Sequence, residues 1–149
     1  LAPKLLPGQI IKIKSGSPTA NRFGKDCYKS PQEFVYGVKV DGQVKAYSFA
    51  YLLQRPVTHE EIGGVPVLVT FDPSSTAAMI FRSGTYRFKE ALEDGQLVEA
   101  ESGSRFDTLS GLGTAGNLKG TQLEQLPGLA SYRKAWMVFH PECTVVEAE

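Results

Sequence analysis

The stretch Val65-Pro66-Val67-Leu68-Val69-Thr70-Phe71 is almost unbroken in apolar, β-favouring side chains. Successive residues of a strand point to opposite faces, so an apolar run without alternation predicts a strand buried on both sides. Gly63-Gly64 marks a turn before it, and Ala77–Phe81 reads as the next strand. Upstream, Phe34–Val40 and Gln43–Phe49 are rich in Val, Tyr and Phe and flank Asp41-Gly42. That dipeptide is a strong hairpin signal, because a type I′ turn needs positive φ at both central residues. Phe49–Gln54 fits a short helical turn ended by Pro56. Downstream, Thr85–Lys89, Gln96–Glu101 and Ser104–Thr108 read as strands joined at Gly-containing turns, and Thr144–Ala148 as a last short strand.

Leu109–Gly120 is glycine-rich without a clear period and reads as loop. Ser131–His140 carries Tyr132, Ala135, Trp136 and Phe139 at i, i+3, i+4 and i+7, which predicts an amphipathic helix capped by Ser131 and stopped by Pro141. The expected fold is therefore mainly β or α+β: antiparallel strands and hairpins with one C-terminal amphipathic helix. Residues 1–32, with several prolines and glycines and one alternating segment at Gln9–Lys14, read as an N-terminal extension; residues 33–149 read as the domain.

At 149 residues with 42% hydrophobic and 21% charged side chains, the chain can bury a normal core without help from metal or disulfide. Sixteen basic residues balance sixteen acidic ones, which gives no basis for broad nucleic-acid or anionic-membrane binding. No apolar run approaches the ~20 residues of a membrane span. There is no initiator Met and no signal-peptide h-region, so a processed or trimmed chain is expected. Cys27 and Cys143 are too far apart for a CxxC or a short metal-ligand spacing. A bridge between them would close a loop of ~100 residues, worth about 4–5 kcal/mol in the chain-entropy model; two free thiols are the alternative.

The candidate chemistry is sparse. His59, followed by Glu60-Glu61, and His140, three residues before Cys143, are the possible metal ligands, although HExxH and HxxxH are absent. His140 also suits the end of a helix, where its charge complements the dipole. Asp72-Pro73-Ser74-Ser75-Thr76 follows a buried strand and offers one carboxylate and three hydroxyls as a ligand-binding set; an Asx turn is the simpler use of the same residues. Arg82, Arg105 and Asp107 sit in or beside strands and are further ligand-binding candidates, or solvated and paired charges. A serine hydrolase would need Ser74 or Ser75 against His59 as base. Gly111–Gly116 spells G-x-G-x-x-G but lacks the βαβ context of a dinucleotide site.

Four ordered landmarks resemble the bacterial family DUF3179: Val38–Tyr47; Ile62-Gly63-Gly64-Val65-Pro66-Val67-Leu68-Val69-Thr70-Phe71; Gly103-Ser104-Arg105-Phe106-Asp107 with the glycines that follow; and Leu126-Pro127 followed by Trp136, Phe139, His140-Pro141 and Val145. Together they cover about residues 35–146. Many relatives follow the Thr-aromatic pair with Cys-Pro-x-Cys-Gly-Thr, where this chain has Asp72-Pro73-Ser74-Ser75-Thr76-Ala77. They often place His-Glu where this chain has Arg55-Pro56. Thiolates suit soft-metal or redox chemistry, and hydroxyls with one carboxylate do not. The resemblance implies an exported, periplasmic or extracellular protein, which would permit the Cys27–Cys143 bridge, and a protein partner in a redox assembly near c-type cytochromes. No CxxCH is present for covalent haem attachment. The leading expectation is a non-catalytic interaction module without cofactor; the alternatives are a metal ion or non-covalently bound haem at an altered site near Asp72, and a serine hydrolase.

Overall fold

The computed structural model describes residues 30–91 and 95–148. Gln9–Lys14, Cys27 and the rest of the extension before Ser30 lie outside the described residues. A 3-10 turn at Pro31–Glu33 leads into twelve strands and two short helices. The strands form three four-stranded sheets, ordered β11-β1-β2-β12, β10-β5-β4-β3 and β6-β7-β8-β9.

In the first sheet β1 (Phe34–Val40) and β2 (Gln43–Ser48) form the expected hairpin. Asp41 and Gly42 take φ of 49° and 83°, the positive values that the turn requires. Helix α1 (Phe49–Gln54) follows, capped by Ser48, whose hydroxyl accepts from Tyr51 N at 3.0 Å. The second sheet contains β3 (Val57–Ile62), β4 (Val65–Asp72), β5 (Ala77–Arg82) and β10 (Glu124–Gln125). The third contains β6 (Phe88–Ala91), β7 (Gln96–Glu99), β8 (Arg105–Phe106) and β9 (Gly113–Ala115).

The second sheet lies in the middle, which is why β4 reads as continuously apolar. Val67, Val69 and Phe71 point into a core shared with Phe34, Tyr36, Val38 and Tyr47 of the first sheet. Leu68 points the other way, with Met79, Phe81, Phe88, Leu97 and Phe106, into a core shared with the third sheet. The one hydroxyl in the run, on Thr70, donates to Thr108 O at 2.9 Å and so is buried with its bond made.

The C-terminal region departs from the sequence expectation. Residues Gly128–Tyr132 form strand β11 against β1, and helix α2 occupies only Arg133–Phe139. Ser131 is therefore a buried strand residue whose hydroxyl donates to Tyr132 O; Tyr132 takes the N-cap position without a side-chain capping bond. Pairing with β1 outweighs the local helical period. Helix α2 then crosses the outer face of the first sheet and delivers β12 (Thr144–Val146) parallel to β2. Since β11 also runs parallel to β2, β11-α2-β12 is a helical crossover, the connection that parallel strands need.

One strand start and three unexpected strands also differ from the sequence reading. Tyr86 N donates to Ser83 O, so the turn continues and β6 begins only at Phe88. The segment read as loop contains β9, and the edge strands β3 and β10 are too polar or too short to show an apolar period.

Trp136 seals the outer face of the first sheet over Val35 and Ala46. Its ring lies on Gly37, where an added Cβ would stand 2.1 Å from Trp136 Cη2. Gly37→Ala is expected to destabilise the fold by about 1–3 kcal/mol despite the smaller backbone entropy cost of Ala. It should also shift the emission of Trp136, the chain's one Trp, to the red. Chemical denaturation followed by fluorescence checks both; unchanged emission with unchanged or higher stability would contradict this packing.

Candidate functional site

The Asp72 stretch forms the β4–β5 turn. Asp72 Oδ1 accepts from Ser74 N at 3.2 Å and Ser74 Oγ at 2.9 Å, and Oδ2 accepts from Ser75 Oγ at 2.8 Å. Both serine protons are thus directed to the turn's own carboxylate, the Asx-turn use of these residues. Thr76 sits at φ 53°, a strained value for a β-branched residue. The DUF3179-like motif quoted above carries glycine at this place. His59 is not part of the turn. It lies opposite Leu68 on β3, about 13 Å along the strand from Asp72 at ~3.3 Å per residue. The structure does not bring Ser74 or Ser75 together with His59.

The two histidines serve different faces. His59 Nε2 accepts from Phe88 N at 2.9 Å, and the imidazole stacks on the Phe88 ring at 6.2 Å between centroids. Burial, and then the charge of Arg87, hold its pKa below the usual histidine value. His140 is the C-cap of α2, as its position before Pro141 suggested, with its ring 4.3 Å from that of Trp136. The first and second sheets stand between them. Among the described residues no three His, Cys, Asp or Glu side chains are grouped to hold a metal ion.

The remaining candidates are also separated. Arg82 on β5 donates Nε to Glu124 Oε1 at 3.0 Å, whereas Arg105 is on β8 in the third sheet. Asp107 Oδ2 accepts from Leu109 N and Ser110 N and shapes the loop after β8. Cys143 is half-buried beside α2; Trp136 Nε1 donates to Sγ at 3.3 Å. Its pairing with Cys27 lies outside the described residues.

Two polar clusters were not anticipated from the sequence. Lys45 and Tyr47 alternate along β2 toward the second sheet, where Lys45 Nζ meets Glu60 Oε1 at 2.5 Å and Tyr47 OH approaches the same oxygen at 3.4 Å. Burial first, and then Glu60, raise the Tyr47 pKa well beyond the usual phenol range, so it remains a neutral donor. The cluster ties β2 to β3. The signal for it was the shared side of Lys45 and Tyr47 in an alternating strand.

The second cluster fills the β7–β8 turn. Glu99 Oε1 accepts from Ser102 N at 2.8 Å and Ser102 Oγ at 2.7 Å, with Ser104 Oγ 2.8 Å beyond. Ser104 Oγ also accepts from Leu118 N at 3.0 Å. Ser104 is fully buried, and a Cβ at Gly116 would stand 2.6 Å from its hydroxyl. Glu99 and Ser104, both buried, brace the turn through Ser102. The Ser102 bonds hold the Glu99 pKa below the usual carboxylate range.

The outer face of the first sheet is different in kind. Val138 and Phe139, at the end of α2, are 74% and 79% exposed. Beside them an apolar groove of about 420 Å³ is lined by Leu129, Ser131, Ala135, Trp136, Phe139 and His140. Phe139 lines the groove itself, and Val138 precedes it at the same exposed helix end.

Residues 16–149 match the family described as a protein of unknown function, DUF3179. The chain belongs to this family. No curated protein and no solved structure matches it. The landmarks of this DUF3179 chain fall at joints of the fold: the β1–β2 hairpin, the β3–β4 turn, the Glu99-braced β7–β8 turn, and the approach to α2. The position of the two-cysteine motif is the β4–β5 turn, closed here by Asp72.

A lowered native pKa means that ionised Glu99 contributes stability above the unfolded-state value of ~4.3, lost as pH falls through the native pKa. Glu99→Gln is expected to cost about 1 kcal/mol at neutral pH, and the gap from wild type should close below about pH 4. Urea denaturation of both proteins across that range checks it; a gap that stays constant with pH would contradict the brace.

Proposed function

We propose that this chain is a non-catalytic interaction module that receives an apolar side chain of a protein partner at the end of α2. The observation that carries this reading is the pair Val138 and Phe139, 74% and 79% exposed, beside a groove floored by Trp136. At protein interfaces a few side chains packed into desolvated pockets carry most of the affinity. The Asp72 turn supports the same reading, because its serine hydroxyls are bonded to Asp72.

Export, and membership of a redox assembly, extend the proposal from the family resemblance. An oxidising compartment would allow Cys143, half-buried on the same side of the first sheet, to pair with Cys27.

The test is a Val138→Asp/Phe139→Asp variant expressed in the native host beside wild type. Both side chains are mainly in solvent, so thermal stability should stay within about 0.5 kcal/mol of wild type. Native mass spectrometry should find wild type in a stoichiometric complex with a second protein, and the variant without it. A wild-type chain that stays a lone monomer, or a complex that survives the substitutions, would contradict the proposal.

A further inference from the structure

The third sheet is joined to the edge strand β3 through an imidazole. His59 Nε2 is the acceptor for the backbone N–H of Phe88, the first residue of β6, at 2.9 Å. To accept there, the ring must be neutral with its proton on Nδ1, which is buried and has no partner among the described residues. The two rings lie 9° from parallel, and Phe88 in turn meets Phe106 edge-on at 5.0 Å. One nitrogen lone pair thus links the edge of the middle sheet to the aromatic core beneath the third.

We propose that His59 is a proton-sensitive latch that holds β6 against β3 when neutral and releases it when protonated. A proton on Nε2 occupies the lone pair and turns the acceptor into a donor facing another donor. It also places a positive charge near Arg87, which already disfavours that charge. The surrounding groups do not offset this. On β4 the facing residue is Leu68, and on β3 Glu60 is engaged with Lys45 while Glu61, two residues on from His59, is exposed. On and before β6 lie Tyr86, Arg87, Lys89 and Glu90. On β7, Glu99 pairs with Phe88 in register, and its carboxylate is held by Ser102.

The sign follows from the acceptor role. The released state takes up a proton with an ordinary histidine pKa of ~6.5, and the latched state resists it, so acid favours release. His140 caps α2 on the outer face of the first sheet, so a signal confined to β6 separates the two histidines.

The test is residue-resolved amide exchange by NMR, reported as protection factors to remove the intrinsic pH dependence. In wild type, protection at Phe88 N–H should fall at least about tenfold between about pH 7.5 and pH 5, beginning near the released-state value of ~6.5 and levelling off once the latched His59 ring itself titrates, at lower pH. In His59→Gln, whose side-chain carbonyl can accept without titrating, the change should be under about twofold. Flat protection in wild type, a fall that begins well above about pH 6.5 or only after the His59 ring has titrated, or the same fall in His59→Gln would overturn the latch. The wild-type comparison decides the question even if the variant fails to fold.

Discussion

Everything in this fold depends on one strand having no solvent face. Val67 to Phe71 of β4 are all buried, with alternate side chains feeding two different cores. Neither core closes without a sheet of its own on the far side. The first sheet supplies Tyr36, Val38 and Tyr47 to one, and the third supplies Phe88, Leu97 and Phe106 to the other. Helix α2 forms an outermost layer because the first sheet is apolar on its outer face as well, at Val35 and Ala46.

Layering of this kind sets where chemistry and binding are available. Polar groups inside or between the layers are taken up by their neighbours: Thr70 by Thr108, Glu99 by Ser102, Glu60 by Lys45. These contacts fasten turns and sheets to one another, since a buried polar group left without a partner costs about 1–3 kcal/mol. Tyr36 shows the other side of that balance. Its hydroxyl is buried without a bond among the described residues, and burial raises its pKa well above the usual phenol range. The outer layer carries apolar surface not yet covered by the fold, at Val138, Phe139 and the groove beside Trp136.

Local signals were legible in the sequence where a single physical rule decides the outcome. Asp41-Gly42 allows few turns other than the one found, and the apolar run of β4 allows no exposed face. Ser131–His140 misled because its apolar period describes residues that face different layers. Tyr132 packs on Phe34 at the sheet edge, Trp136 on the outer face, and Phe139 stands mainly in solvent at the groove. Gly128 belongs to a strand because its missing side chain makes room for the Tyr36 hydroxyl, a contact between residues far apart in sequence. Likewise Lys45 with Glu60, and His59 with Phe88, are pairings across sheets. Their residue types were visible, but their meeting depends on tertiary register. The Asp72 turn was readable as an Asx turn from its sequence, and it is one.

Burial on both faces should make the middle sheet the last part of the molecule to open. Native-state hydrogen exchange across the three sheets, followed with increasing denaturant, tests it most directly. Amides of β4 and β5 should exchange only through global unfolding, with the full denaturant dependence, while β6–β9 and the end of α2 open first. Exchange in β4 through a smaller, local opening, while the third sheet stays protected to the global limit, would contradict the account.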